Sequence, residues 1–164
     1  AEMDDAEADA EMNWVNSFIE AIRSARAQMN VPASAKIPVV CLNLGEGTKA
    51  TIADNDSLIK KLARIESFAH KKDAPKGAIA VHAGQASFAL PLADIIDVSK
   101  EKARLEKNLG KLDKEIGGLK GRVNNPKFVA SAPLEVVEEA KANLEIRSGE
   151  AQVVRDALDR LNEL

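Results

Sequence analysis

The chain has 164 residues, a net charge of −3 and a single cysteine, Cys41. This length allows one or two modest cores, and no apolar run approaches the roughly 20 residues of a membrane-spanning helix. A lone cysteine excludes an internal disulfide framework and fits a reducing compartment. The acidic amino terminus lacks the positive charge of a secretory leader, so we expect a cytoplasmic protein without membrane contact. The few aromatic residues, one Trp, four Phe and no Tyr, argue against a base-stacking platform.

The first predicted element is an amphipathic helix. Its apolar stripe has helical spacing and consists of Trp14, Phe18, Ile22, Ala25 and Met29. The segment Asn30-Val31-Pro32 should end this helix. Arg23 and Arg26 are expected on its opposite side, either as part of a solvated face or as contacts to RNA or to an upstream domain.

A small β-α-β-β unit is predicted next. The run Ile37–Leu42 is typical of a strand, and Gly45–Lys49 is typical of a connecting loop because it lacks the spacing of a Walker phosphate-binding motif. Residues Asp54–His70 have the period of a helix, with Asp54 or Asn55 as its cap. The predicted buried side of this helix consists of Leu58, Ile59, Leu62, Ile65 and Phe68 or Ala69.

Two further strands, Ala78–Ala83 and Ser87–Pro91, complete this unit and are joined through Gly84-Gln85 as in a β-hairpin. His70 and His82 have no second His, Cys or carboxylate at metal-ligand spacing, and no nucleophile has an adjacent base. We therefore predict neither catalytic nor metal-binding residues and expect a binding or structural module.

The last third contains two seams of mainly apolar residues, spaced alternately by four and three. They are Val98, Lys102, Leu105, Leu109, Leu112, Ile116, Leu119 and Val123, then Val137, Ala140, Leu144, Arg147, Ala151, Val154, Leu158 and Leu161. This spacing predicts two helices that pair as an antiparallel coiled-coil arm, with Ser99 capping the first and Pro133 in the first turn of the second. Gly117, Gly118 and Gly121 each cost about 1 kcal/mol relative to Ala, so the far half should be less rigid.

Charge is distributed unequally between the two predicted helices. Residues 99–127 contain nine Lys/Arg and four Asp/Glu, whereas residues 128–164 contain four and eight. Five basic residues follow the four-three spacing out of phase with the seam: Lys100, Arg104, Lys107, Lys111 and Lys114. The complementary charges favour pairing of the helices, but an outward basic stripe suits a phosphate backbone. Weaker candidates near the turn are Lys120, Arg122 and Lys127.

Three stretches resemble one family in their residues and in their order. They are Ala21–Pro38, Phe88–Val98 leading into Glu101–Lys107, and Asn124–Val137. From about Asn13 to its end, the chain is thereby similar to the carboxy-terminal region of bacterial-type valyl-tRNA synthetases. It departs from the family at Gln28, where Glu is expected, at Ala33, where a second Pro is usual, and at the glycines of the arm.

The resemblance implies a class I enzyme that joins valine to tRNA(Val) using ATP and Mg²⁺. Its carboxy-terminal coiled coil would contact the outer corner of the tRNA, where the D and T loops meet. The class I catalytic signatures do not occur in this sequence. We therefore expect an excised, non-catalytic piece without a cofactor, which helps to position tRNA(Val) while upstream catalytic and anticodon-binding domains carry out recognition and chemistry.

Together the predicted elements give an α+β fold, mostly α, with a helix before the β-α-β-β platform and a long antiparallel two-helix arm after it. The implied domains are 1–31, the end of the anticodon-binding helical domain; 32–98, the platform; and 99–164, the tRNA-binding arm. Two alternatives stay open for the arm, a protein-interaction stalk and a structural brace. Without the helices that would cover it, the first helix is expected to expose Trp14 and Phe18 and to promote self-association.

Overall fold

A computed structural model describes residues 2–164 of the chain, and the side chains from Asp5 onward. Within these residues the elements are α1 (Glu2–Gln28), β1 (Ile37–Leu42), α2 (Glu46–Asp54), α3 (Asp56–Ala63), β2 (Ile65–Lys71), β3 (Ala78–Ala83), β4 (Ala86–Pro91), α4 (Val98–Val123), α5 (Pro126–Ser131) and α6 (Leu134–Asn162). The fold class is α+β and mostly α, as predicted. None of the described helices is both long enough and apolar enough to cross a membrane.

The chain divides into two compact units. The amino-terminal unit runs to Val98 and includes Arg160–Leu164, and the hairpin unit is Ser99–Asp159. Helix α1 and the sheet therefore belong to the same unit.

A four-stranded sheet in the order β2-β1-β4-β3 forms the base of the amino-terminal unit. Strand β1 is parallel to β2 and antiparallel to β4, which also pairs antiparallel with β3. Strands β3 and β4 form the predicted β-hairpin, in which Ala83 pairs with Ala86 and Gly84 has a φ of 62°. Glycine adopts this conformation without the strain that a Cβ imposes.

The single helix predicted over Asp54–His70 is wrong, because a short helix, α3, and a strand that was not predicted, β2, occupy this part of the chain. Helix α2 begins at Glu46, inside the predicted loop, and α3 ends at Ala63. Arg64 then adopts the left-handed conformation, with φ 53°, and leads directly into β2. Asn55 occupies the N-cap position of α3, but its side-chain amide donates to the carbonyl of Thr51 at 2.8 Å and does not cap the helix.

Pairing with β1 explains why the segment after Arg64 is a strand. Ile65 and Phe68 lie at helical spacing from the apolar residues of α3, so the local period favours one long helix. The parallel ladder with β1 nevertheless supplies backbone hydrogen bonds along one side of this segment and fixes it as β2, an edge strand of the sheet. As a result Leu58 and Leu62, which were predicted to be buried, are exposed on α3.

The buried side of α1 forms the core of the amino-terminal unit together with the sheet. Phe18 is fully buried, and its ring centroid lies 4.5 Å from that of Phe88 in β4 and 6.3 Å from that of Phe68 in β2. Trp14 is half-buried, stacks on Phe18 at 5.4 Å, and donates from its indole N–H to the carbonyl of Ala83 at 3.3 Å. The predicted exposure of Trp14 and Phe18 is therefore wrong, which removes the surface from which self-association was expected.

Helices α4 and α6 pair in the hairpin unit. Every seam position predicted on the two helices is buried or half-buried. Two ion pairs join the helices, Arg147 to Glu115 at 3.1 Å and Arg155 to Asp113 at 3.0 Å. Because the residue number falls on α4 as it rises on α6, the helices are antiparallel, as predicted.

The turn between these helices contains α5, a short helix that was not predicted. Asn125 caps it by accepting a hydrogen bond from the backbone N–H of Lys127 at 3.0 Å, and Pro126 occupies its first position. Pro133 immediately precedes α6 instead of lying in its first turn, and its carbonyl accepts the first hydrogen bonds of that helix. Helix α4 begins one residue before Ser99, the predicted cap.

Replacing Phe18 with Ala should lower the free energy of unfolding of the amino-terminal unit by about 3–5 kcal/mol, because it leaves a cavity among three aromatic rings. Native-state hydrogen exchange of the β4 amides measures this loss. Met12→Ala, on the exposed part of α1, is the matched control and should change the same quantity by about 0.5 kcal/mol or less. Equal effects of the two variants would contradict the assigned core.

Burial in β1 raises the pKa of the Cys41 thiol from 9.0 to about 11. The folded chain therefore holds this proton more tightly than the unfolded chain does. The resulting stability is complete below a pH of about 9 and is lost as the pH rises through about 11. We expect Cys41→Ala to show a smaller fall in unfolding free energy across this range, as measured by urea titrations at its two ends. The same pH dependence in both proteins would count against a buried thiol.

Candidate nucleic-acid interface

Five of the predicted RNA-contact residues form one row on α4, the α4 stripe, which consists of Lys100, Arg104, Lys107, Lys111 and Lys114. All five residues are exposed, whereas the seam of the same helix is buried or half-buried. At about 100° per residue, the stripe covers an arc of about 80° whose centre lies roughly 145° from the centre of the seam. The α4 stripe therefore faces away from α6.

Ion pairing leaves a large part of this charge available. Arg104 lies 2.9 Å from Glu101, whose carboxylate is buried, and Lys100 has an interaction of its own. Among the described residues, no ion pair involves Lys107, Lys111 or Lys114. These three ammonium groups can therefore contact an anion without breaking an existing ion pair.

The ion pairs between the helices are formed by residues whose charge is opposite to the net charge of their own helix. On the basic helix α4 the partners are the acidic residues Asp113 and Glu115, and on the acidic helix α6 they are Arg155 and Arg147. The lysines of the α4 stripe take no part in these pairs. Association of the two helices consequently leaves the surplus positive charge of α4 on its outer side.

The three weaker candidates near the turn occupy different positions. Arg122 falls on the same side of α4 as the stripe, whereas Lys120 falls on the seam side, and both are exposed. Lys127 is exposed in α5, next to the cap formed by Asn125. Arg122 also lines an open groove of about 300 Å³ between the helices, together with Glu115, Gly118, Leu119, Asn143 and Arg147. Of the three candidates, Arg122 is the one that continues the α4 stripe.

The two arginines predicted on the outer side of α1 have different environments. Arg23 is exposed and lies 3.7 Å from Glu20. Arg26 is only 7% exposed, and its guanidinium donates to the carbonyls of Pro32 at 3.0 Å and Arg64 at 3.3 Å. Burial and the nearby charge of Arg64 lower the pKa of Arg26. Its predicted place on an outer, RNA-contacting face is therefore wrong, because the chain beyond α1 folds back over the side chain and uses its hydrogen bonds.

An apolar strip on α6, away from the seam, was not predicted. It consists of Ala142, Ile146, Gly149 and Val153, in which Ile146 and Val153 are 55% and 59% exposed. The strip has the same four-three-four spacing as the seam, so the signal was present in the sequence. The longer seam already explains the helical period of this segment, so the strip does not stand out beside it.

Among the side chains that the structure describes, from Asp5 to Leu164, no group of three or more His, Cys, Asp or Glu could hold a metal ion. In the same part of the chain, each buried side-chain nitrogen or oxygen has a hydrogen-bond partner. The free cysteine, Cys41, is buried in β1.

Comparison with known proteins finds similarity to one protein family, both in a family profile and in individual sequences. Residues 97–162 match the family described as "Valyl tRNA synthetase tRNA binding arm". The chain is 54% identical to the valine–tRNA ligase of Ruegeria pomeroyi over 164 residues, which is all of this chain and 16% of that protein. It is 51% identical over 164 residues to the corresponding ligase of Cereibacter sphaeroides, all of this chain and 17% of that protein. It is 40% identical over 160 residues to that of Brucella suis, 98% of this chain and 18% of that protein.

The chain thus spans less than a fifth of the length of these curated relatives. The α4 stripe lies inside the segment that the family matches, whereas α1 and the sheet precede it.

Helix α4 runs without interruption through Gly117, Gly118 and Gly121, and a Cβ added at any of them would have no atom within 4 Å other than the adjoining residues and the backbone of the helix itself. Replacing Gly118 with Ala should raise the free energy of unfolding of the hairpin unit by about 0.5–1 kcal/mol, because Ala loses less conformational freedom in a helix. Thermal denaturation measures this gain. Gly77→Ala is the opposite control, since Gly77 has a φ of 74° and its added Cβ would lie 2.7 Å from that of Ala93. A Gly118 variant that melts below the parent chain would contradict a regular helix at this position.

Proposed function

The chain belongs to the valyl-tRNA synthetase family through its tRNA-binding arm, residues 97–162, and on that premise we propose that it is a carboxy-terminal, tRNA-binding region of such an enzyme. Its role is to help position tRNA(Val) for ATP-dependent aminoacylation with valine in the cytoplasm. The observation that carries this proposal is the α4 stripe, an exposed row of cations that pairing of the two helices leaves outward.

The α4 stripe suits contact with several phosphates of a folded RNA. From Lys100 to Lys114 it extends about 21 Å along the helix axis, at about 1.5 Å per residue. Solvent-exposed lysine ammonium groups bind the phosphates of RNA and release counterions from them. Such contacts orient the RNA without reading its bases. The hairpin unit would thus recognise the common shape of tRNA, while other domains distinguish tRNA(Val) from other tRNAs.

The catalytic part of the reaction is assigned to the rest of the parent enzyme. The curated relatives are more than five times as long as this chain, and the class I catalytic signatures are not in its sequence. We propose that ATP and Mg²⁺ bind in the upstream catalytic domain and that the 164-residue chain itself binds no cofactor. Its other partners would be the catalytic and anticodon-binding domains of the same chain.

The apolar strip on α6 favours a second candidate function, a protein-interaction stalk. Ile146 and Val153 are exposed at a separation of seven residues, on a side of the helix that the seam does not use. An apolar row of this kind fits a third helix from another protein. Replacing both residues with Ser would abolish such an interaction and would leave RNA binding through the α4 stripe unchanged.

The salt dependence of RNA binding tests the α4 stripe. The variant Lys107→Gln/Lys111→Gln/Lys114→Gln, the stripe variant, should bind a valine-accepting tRNA more weakly than the parent chain. The slope of log K against log salt should become shallower by roughly 2–3, since about 0.7–0.9 is lost with each phosphate contact. Titrations at several salt concentrations measure the slope, with a non-cognate tRNA and a duplex DNA for comparison.

The matched control, called the control variant, removes three exposed lysines of the amino-terminal unit: Lys71→Gln/Lys72→Gln/Lys76→Gln. It changes the net charge by the same amount and should leave the slope unchanged. Similar binding of both tRNAs and weaker binding of DNA would agree with recognition of tRNA shape. A stripe variant with the slope of the parent chain would remove the α4 stripe from the interface, and absence of RNA binding at low salt would favour the stalk.

A further inference from the structure

The amino-terminal unit contains a second basic surface, a concavity of about 1010 Å³ that we call the α3 groove. Its charged lining residues are Arg23, Lys36, Lys60, Lys61, Arg64 and Glu66. Five of these six side chains are cationic at neutral pH. The α3 groove lies outside residues 97–162, so the match to the tRNA-binding arm does not include it.

Three segments that are distant in sequence build the α3 groove. Arg23 comes from α1, and Lys60 and Lys61 come from α3. Lys36 and Arg64 immediately precede the parallel neighbours β1 and β2, and the backbone N–H of Ile37 donates to the carbonyl of Arg64 at 3.1 Å. Parallel pairing therefore places these two cations next to each other, at the amino-terminal ends of neighbouring strands.

The positive charge of the α3 groove is only partly balanced. Arg23 lies 3.7 Å from Glu20 and Lys60 lies 3.0 Å from Asp56, both at the surface, where such pairs are weak. Among the described residues, no ion pair involves Lys36, Lys61 or Arg64. The surplus of cations favours an anionic ligand that provides several charges.

Arg26 adds fixed positive charge next to the α3 groove. Its guanidinium donates to two backbone carbonyls and lies near Arg64. The charge of a buried group is screened less by water than that of an exposed lysine, so Arg26 contributes to the potential at this surface.

The size and lining of the α3 groove indicate an extended ligand. Pockets for small organic molecules are mostly apolar and have volumes of about 300–1,000 Å³. The α3 groove is at the upper end of that range and is lined mainly by long cationic side chains. Such a surface suits a chain of phosphates better than a compact apolar molecule.

We propose that the α3 groove binds the phosphodiester backbone of RNA, as a second contact separate from the α4 stripe. This inference rests on the proposed function for the choice of RNA as the ligand. The residues that make the contact are Lys36, Lys61 and Arg64, with Arg23 and Lys60 at the margins.

The test uses the groove variant Lys36→Gln/Lys61→Gln/Arg64→Gln in the full 164-residue chain, with unfractionated tRNA as the probe. The slope of log K against log salt should be shallower than that of the parent chain by roughly 2–3. The stripe variant should reduce the slope independently, and combining both sets of substitutions should add the two losses. The control variant, with equal loss of charge, should keep the slope of the parent chain.

Lysine acetylation read by mass spectrometry gives a second measurement. Bound tRNA should protect Lys36 and Lys61, and should leave Lys71 and Lys72 reactive. If Arg64→Gln disturbs the turn into β2, as circular dichroism would show, the double variant Lys36→Gln/Lys61→Gln decides the question with an expected slope change of roughly 1.5.

The outcomes separate this inference from the proposed function of the arm. A changed slope in the groove variant alone would support the α3 groove and contradict the α4 stripe. A changed slope in the stripe variant alone, with Lys36 and Lys61 still reactive, would overturn the inference and leave the arm intact. That second outcome would also be expected if the α3 groove receives an acidic protein surface instead of RNA.

Discussion

Arg26 joins three segments of the amino-terminal unit through one guanidinium group. It extends from the last turns of α1 to the carbonyl of Pro32 and to that of Arg64, where α3 turns into β2. A buried cation loses its hydration, and hydrogen bonds to carbonyl groups offset the free-energy cost of that loss. The start of β1 depends on the same arrangement, because Ile37 donates to the carbonyl of Arg64. Arg26 therefore has a structural role, since its hydrogen bonds are used within the fold. The exposed cations of the α3 groove, such as Lys36 and Lys61, are the ones that can bind a ligand.

The hairpin unit could be predicted from the sequence almost position by position, because its information is local. Residues three and four apart share a helix face, so the spacing identifies both the seam and the opposite α4 stripe. The structure buries or half-buries every predicted seam position and exposes every residue of the stripe. The short helix α5, the exact helix starts and the apolar strip on α6 are not predicted. The helix boundaries depend on capping contacts such as that of Asn125.

The amino-terminal unit was less predictable because long-range pairing determines its structure. The segment Ile65–Lys71 has a helical period, and only the ladder with β1 makes it a strand. Arg26 is predicted on the outer side of α1 because it is charged, although it lies four residues after the buried Ile22, and the chain that returns past Pro32 covers it. Lys36 and Arg64 are 28 positions apart in the sequence, and no local pattern relates them. The α3 groove could therefore not be found before the parallel register of β1 and β2 was known.

Trp14 provides a fluorescence signal that is specific to the amino-terminal unit. It is the only tryptophan in a chain that has no tyrosine, and it stacks on Phe18 within the amino-terminal unit. Its fluorescence therefore reports on that unit, whereas far-ultraviolet circular dichroism also includes the long helices α4 and α6. Transitions that coincide by the two methods would mean cooperative unfolding of the whole chain. Separate transitions would mean that each unit has its own free energy of unfolding, and that a single melting temperature describes neither.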